Sequence, residues 1–233
     1  MISPELSRYM SRLVEVYERL LARFGPQGWW PAETAFEVLM GAILTQRTRW
    51  RNAAQAIENL KQAGLMDPAA LASASIDEIA GHVRCAGFYR QKAERLVAVA
   101  RVLVERYDGS IERAFQGADT EEIRGRLTSW RGVGPETADS VLLYAAGRLV
   151  LPVDLYTVRL MRRLGFGGGR YSELQRQIAS QLPADVEVYK EFHALVDELG
   201  KAFCRAEPLC RPCPLRDLCS HASTDPSHSP RFR

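Results

Sequence analysis

Two glycines around one valine, Gly132-Val133-Gly134, followed at once by Pro135, constrain this chain more than any other feature. Helix-forming segments flank them, and Pro135 stands where the first turn of the second helix should begin. That layout dictates a tight hairpin between two helices. Backbone N–H groups then point out of the second helix's N-terminus, a ready seat for a phosphate. Gly-x-Gly turns join many helices, so the hairpin alone fixes no activity. Downstream, Leu151-Pro152-Val153-Asp154 brings a carboxylate to the start of the next helical segment. Asp154 reads equally well as an N-cap and as a functional group.

Apolar residues recur at helical spacing nearly throughout, and no alternating strand pattern emerges. Leu6, Tyr9, Met10, Leu13, Tyr17, Leu20 and Leu21 form one stripe, closed by Gly25. Further helices are expected at 36–44, 50–63, 90–107, 135–147, 155–164, 172–182 and 186–202. Ser75 with Glu78, and Asp119 with Glu122, have capping-box spacing. Residues 220–233 are Ser-, Pro- and His-rich without periodicity and are expected to form a mobile tail. The fold class is all-α.

With 233 residues, 46% of them hydrophobic, the chain can bury a core in one domain or two small lobes. It has no run of 18 apolar residues and no signal-peptide layout, which points to a soluble cytoplasmic protein without a membrane anchor. The net charge of +3 neither demands nor excludes nucleic acid. Of 31 basic residues only Lys61, Lys92, Lys190 and Lys201 are lysines, so amine chemistry has a short list of candidates.

Four cysteines follow the pattern Cys204-x5-Cys210-x2-Cys213-x5-Cys219, with Pro208, Pro212 and Pro214 forcing turns between them. In a cytoplasmic protein such a cluster reads as a metal site rather than as disulfides. Spacing alone leaves zinc and iron–sulfur both open. Cys85 lies apart and is expected in the core.

Together these motifs resemble the helix–hairpin–helix DNA glycosylases of the endonuclease III family. Trp130-Arg131-Gly132-Val133-Gly134-Pro135-Glu136-Thr137-Ala138 follows the family hairpin, and Val153-Asp154 falls where the family carries its catalytic aspartate. The likeness runs from about Phe36 to Cys219. It implies two helical lobes, a barrel domain over 28–148 and a second domain from 1–27 plus 149–219. The second lobe would carry a 4Fe-4S cluster on Cys204, Cys210, Cys213 and Cys219, although the first cysteine gap is one residue shorter than the family's. The implied partner is double-stranded DNA containing damaged bases, bound by a monomer that is cytoplasmic and nucleoid-associated.

The resemblance also assigns roles. Gln46, in Thr45-Gln46-Arg47-Thr48-Arg49, matches the glutamine that enters the space a flipped base leaves. Phe88 matches a wedge residue, while Arg131 with the backbone of Gly132, Val133 and Gly134 would grip phosphate. Arg47, Arg49, Arg51 and Arg90 are further phosphate candidates. Without the family, Gln46 reads as an exposed polar residue and Phe88 as a core aromatic. Asp154 would stabilise the cationic sugar and activate water.

One departure matters most: Glu136 stands in the slot of the family's lysine nucleophile. A carboxylate forms no Schiff base, so hydrolysis by water with little or no strand cleavage is expected. Glu136 also reads simply as a first-turn glutamate favoured by the helix dipole. A negative pocket favours cationic bases, and Trp29, Trp30 and Trp50 offer indole faces for them. The pattern is closest to the 3-methyladenine branch, whose substrates are alkylated purines. An oxidised-pyrimidine or mismatch glycosylase with lyase activity is the alternative, and a non-catalytic DNA-binding module the second.

Overall fold

The structure is a computed structural model that describes residues 11–224. Among these it holds thirteen α-helices, one 3-10 turn and no strand. In chain order the helices are α1 (Arg12–Phe24), α2 (Ala35–Leu44), α3 (Trp50–Gln62), α4 (Pro68–Ser73), α5 (Ile76–His82) and α6 (Tyr89–Tyr107). They continue with α7 (Ile111–Phe115), α8 (Thr120–Thr128), α9 (Pro135–Tyr144), α10 (Leu155–Leu164), α11 (Tyr171–Ala179), α12 (Val186–Ala202) and α13 (Ser220–Thr224). The described chain divides into two compact units, one from residues 11–29 and 149–224, the other from 30–148.

In the second unit α2 is the central element. Every residue from Phe36 to Leu44 is buried, as expected of a helix that is apolar all round. Helices α3, α6 and α9 pack against it. Its one buried acid, Glu37, is paired with Lys61 at 3.0 Å, which offsets the cost of burying a charge. Helix α6 supports α4 and α5 on its flank. In the first unit α12 is the spine, packed by α1 and α10. Gly200 makes the second contact possible, because a Cβ there would lie 2.6 Å from Cγ of Tyr156.

Helix starts follow the expected chemistry. Asp119 and Glu122 form a complete capping box, and Ser75 accepts from the Glu78 amide. Two helices go beyond the sequence pattern, α4 and α7. They span only 6 and 5 residues, too few to display a period, and each rests on a local cap, Asp67 or Ser110. The 220–233 segment departs from expectation as well. Its start forms α13, docked by the buried Ala222 and by a bond from Ser220 Oγ to the Leu164 carbonyl at 3.0 Å; the remainder lies outside the described residues. So do Leu6, Tyr9 and Met10 of the first stripe. Cys85 is exposed rather than in the core, with its sulfur 3.6 Å from the Asn52 carbonyl.

Candidate functional site

The hairpin is built from its anchors outward. Trp130 and Val133 are buried, and the Val133 amide donates to the Trp130 carbonyl at 3.1 Å to close the turn. Gly132 has φ +86°, a left-handed conformation that favours glycine. A Cβ there would also strike the aliphatic stem of Arg95. Gly134 caps α9 without a side-chain bond and Pro135 opens the helix. The first-turn amides thus have no side-chain acceptor at the cap, the arrangement that suits an anion. Glu136 is exposed in that same turn.

Gln46 is held to the hairpin. Its Nε2 donates to the Gly132 carbonyl at 2.9 Å and to Thr137 Oγ1 at 3.0 Å, and its Oε1 accepts from Arg95. The next residue, Arg47, has φ +55°, a costly conformation for a non-glycine residue that clusters at functional turns. Phe88 is likewise left-handed, φ +48°, at the start of α6. It is 59% exposed, so it lies outside the core, where the residue type alone would have placed it.

Trp30 and Trp50 meet at 5.3 Å in an edge-on geometry of 84°. Tyr144, at the end of α9, meets Trp30 at 5.3 Å and 60°. Gly41 gives Trp30 its seat, since a Cβ would lie 3.2 Å from the indole Cζ2 and Nε1. All three rings are half-buried, so each keeps part of a face or edge accessible. Trp29, also half-buried, belongs to the other unit.

Arginines surround these elements. Arg131 is exposed and paired with Glu94 at 2.6 Å, and Arg90 with Asp77 at 2.6 Å. Arg47, Arg49 and Arg51 are exposed.

In the first unit Asp154 caps α10, its Oδ1 accepting from the Thr157 amide at 2.7 Å. The preceding segment is pinned by Tyr171, whose hydroxyl accepts from the Val153 amide at 3.2 Å, and by Gln175, which donates to the Leu151 carbonyl at 2.7 Å. Asp154 therefore has both roles open to it, cap and partly accessible carboxylate. The carboxyl of Asp197, on α12, lies close enough to feel its charge. Burial, then the Asp154 charge, pushes the Asp197 carboxyl up to about 6, against the opposing pull of His193 and Lys201. Two acids this close cannot both ionise cheaply.

Cys204, Cys210, Cys213 and Cys219 line one apolar cavity together with Phe203, Leu209 and Arg163. Arg163 holds the loop by donating to Cys204 Sγ at 3.1 Å, to the Arg205 carbonyl at 2.7 Å and to the Ala206 carbonyl at 3.0 Å. Burial, with the other three sulfurs, pushes the Cys213 thiol up to about 11. Four cysteine sulfurs lining one apolar cavity are a donor set that suits a cationic metal centre, which would favour their thiolates. Among the described residues no three His, Cys, Asp or Glu side chains close on a single-ion site.

Residues 40–184 match the family model described as HhH-GPD superfamily base excision DNA repair protein. The chain belongs to this family. A protein of Methanocaldococcus jannaschii that carries the provisional name DNA repair glycosylase is 44% identical over 89% of this chain and 95% of its own length. Endonuclease III of Thermotoga maritima is 32% identical over 79% of this chain and 82% of that protein. Among solved structures, the Helicobacter pylori 3-methyladenine DNA glycosylase bound to 1,N6-ethenoadenine is similar with a TM-score of 0.71. It is 29% identical and matches 80% of this chain and 96% of its own.

The structure thus brings Gln46 to the hairpin, Trp30 to Trp50, and the four cysteines to one cavity. Sequence reasoning gave no site role to Arg95, which bonds Gln46, to Tyr144, which packs on Trp30, or to Asp197, which neighbours Asp154, and it weighed Lys92 only as a possible amine. A signal existed for one of them, since Lys92 falls on the Leu96–Ala100–Leu103 stripe of α6, where a solvated lysine does not belong.

Proposed function

We propose that the chain is a monofunctional DNA glycosylase of base excision repair that hydrolyses the N-glycosidic bond of alkylated purines such as 3-methyladenine. The Trp30–Trp50–Tyr144 cluster, in the same unit as the acidic Glu136, carries this reading. Indole faces attract a flat cation by about 0.5–2 kcal/mol each, and a carboxylate at 136 in place of an ammonium favours positive charge. Purines methylated at N3 or N7 are cationic while bound to the sugar, so their glycosidic bond is already weakened. The 29% identity to a 3-methyladenine glycosylase supports the same choice.

In this reading the hairpin amides hold a backbone phosphate, and Gln46 and Phe88 occupy the space left by the flipped nucleotide. Water attacks the anomeric carbon as the bond to the base nitrogen breaks. The bond's electrons go to the base, which leaves neutral because it entered as a cation. Asp154 stabilises the positive sugar and takes the proton from water. No amine enters: position 136 is acidic, and Lys92 is buried with its Nζ bonded to two carbonyls.

Cys204, Cys210, Cys213 and Cys219 would hold a 4Fe-4S cluster, whose contribution is to stabilise the C-terminal loop. A second reading, an endonuclease III-like enzyme for oxidised pyrimidines, is favoured by the 32% identity to endonuclease III.

The test is a panel of duplexes carrying 3-methyladenine, 7-methylguanine, hypoxanthine, thymine glycol or uracil, scored with and without later alkaline cleavage. Release of alkylpurines, visible only after alkali, is the expected result. Preference for thymine glycol, with cleavage before alkali, would install the second reading.

A further inference from the structure

We propose that Lys92 is a positioning residue that sets the spacing of the two turns carrying Gln46 and Phe88. The inference rests on the reading that both turns meet DNA.

Helix α2 ends at Leu44 with carbonyls that have no partner within the helix, and its last turn contains no basic residue. The missing positive group arrives from another helix. Lys92 Nζ, on α6, donates to the Leu44 carbonyl at 2.8 Å. The same Nζ donates to the Ala86 carbonyl at 2.8 Å. Leu44 is two residues before Gln46, and Ala86 two residues before Phe88. One ammonium thus joins the stems of both turns, each of which then enters a left-handed conformation, at Arg47 and at Phe88. A cation is favoured at the negative, C-terminal end of a helix dipole, so the bond to Leu44 also completes α2.

The arrangement is costly to keep. Lys92 is only 1% exposed, and burial, then the Arg95 guanidinium, lowers its ammonium to about 8. A depressed basic pKa means the unfolded chain binds the proton more tightly, so at neutral pH the charge disfavours folding. What offsets that cost in the fold is the pair of bonds that Lys92 makes to the two turns. Three positions further along α6, Arg95 fixes the Gln46 amide itself. Lys92 sets where the turn sits, and Arg95 sets which way the side chain faces.

Lys92→Met keeps the length and apolar stem while removing both bonds. The first readout needs no DNA: hydrogen exchange across 44–48 and 86–89. We expect both segments to lose protection together, by about tenfold, while 130–134 and the middle of α6 stay as in wild type. The second readout is flipping, followed by fluorescence of a 2-aminopurine next to an alkylated purine in a duplex. Signal amplitude and single-turnover base release should each fall at least tenfold, with affinity for undamaged duplex unchanged. In a Gln46→Ala, Phe88→Ala background Lys92→Met should add little to the loss of base release, since both positioned groups are gone. Lys92→Gln, which retains a shorter donor, should fall between, and it replaces Lys92→Met should that variant fail to fold.

Loosening of only one turn, a uniform loss of protection across the unit, or full base release with both turns loosened would each overturn the proposal. Absence of base release by wild-type protein on every lesion would instead refute the glycosylase reading and leave the exchange result to decide the coupling.

Discussion

Replacing Asp197 by asparagine should make the protein more stable at neutral pH, although it removes an ion pair. The carboxyl of Asp197 is raised from 3.8 to about 6 by burial and by the charge of Asp154. A raised acid contributes stability that is complete below the unfolded value and is lost as pH climbs through the folded value. Each tenfold change in proton affinity is worth about 1.4 kcal/mol, so between pH 4 and 7 the folded state forfeits at most about 3 kcal/mol. Two effects reduce it. The side chain keeps 29% exposure, and Lys201, 3.2 Å away, loses one of its two acidic partners in the variant. The net gain should be about 1–2 kcal/mol at pH 7.5, or roughly 2–8 °C in melting temperature for a protein of this size. Calorimetry of both proteins from pH 4 to 8 measures it directly. The gain should shrink to nothing near pH 4, where the wild-type carboxyl is already protonated. A variant no more stable at pH 7.5, or one whose gain persists unchanged at pH 4, would refute a raised Asp197 carboxyl in the folded protein. The test bears on mechanism too: asparagine no longer offers Asp154 a second negative charge.

Asp154→Asn should preserve α10, because asparagine caps as well as aspartate, and should leave duplex binding intact while abolishing most base release; equal release would remove Asp154 from the chemistry. Borohydride reduction on abasic DNA should trap little protein, and efficient trapping would contradict the hydrolytic reading and direct attention to the four lysines. Gly41→Ala should displace the Trp30 ring from which its Cβ would stand 3.2 Å, altering the near-ultraviolet dichroism and weakening release of cationic bases. Trp50→Ala should lower the same release roughly tenfold, as loss of about 1–2 kcal/mol of stacking requires. Purified protein should be brown with four irons, and Cys213→Ser should bleach it and lower the melting temperature; stoichiometric zinc in a colourless protein would replace iron–sulfur without touching the proposed activity.

What could be read from the sequence was chemistry that is local along the chain. The hairpin needs glycine at 132 for its φ and proline at 135 for its first turn, and both requirements are met within four residues. Asp154 as an N-cap, the capping box at Asp119 and the four cysteines are equally short-range. Helices α4 and α7 escaped because five or six residues cannot show a 3.6-residue period. The supporting residues escaped for a different reason. Lys92 and Arg95 lie in Tyr89-Arg90-Gln91-Lys92-Ala93-Glu94-Arg95, a run whose composition looks like a solvated helix face. They become structural only when the end of α2, the turn at Ala86 and the hairpin converge on α6 from distant parts of the chain. Asp197 likewise looks like a surface acid until Gly200 lets Tyr156, and with it α10, close onto α12. Long-range support of this kind has no motif, but it leaves one trace. Such a side chain stands on or beside an apolar stripe, where its charge is expensive, and that expense is what sets Lys92 and Asp197 apart from the solvated lysines and acids of the same helices.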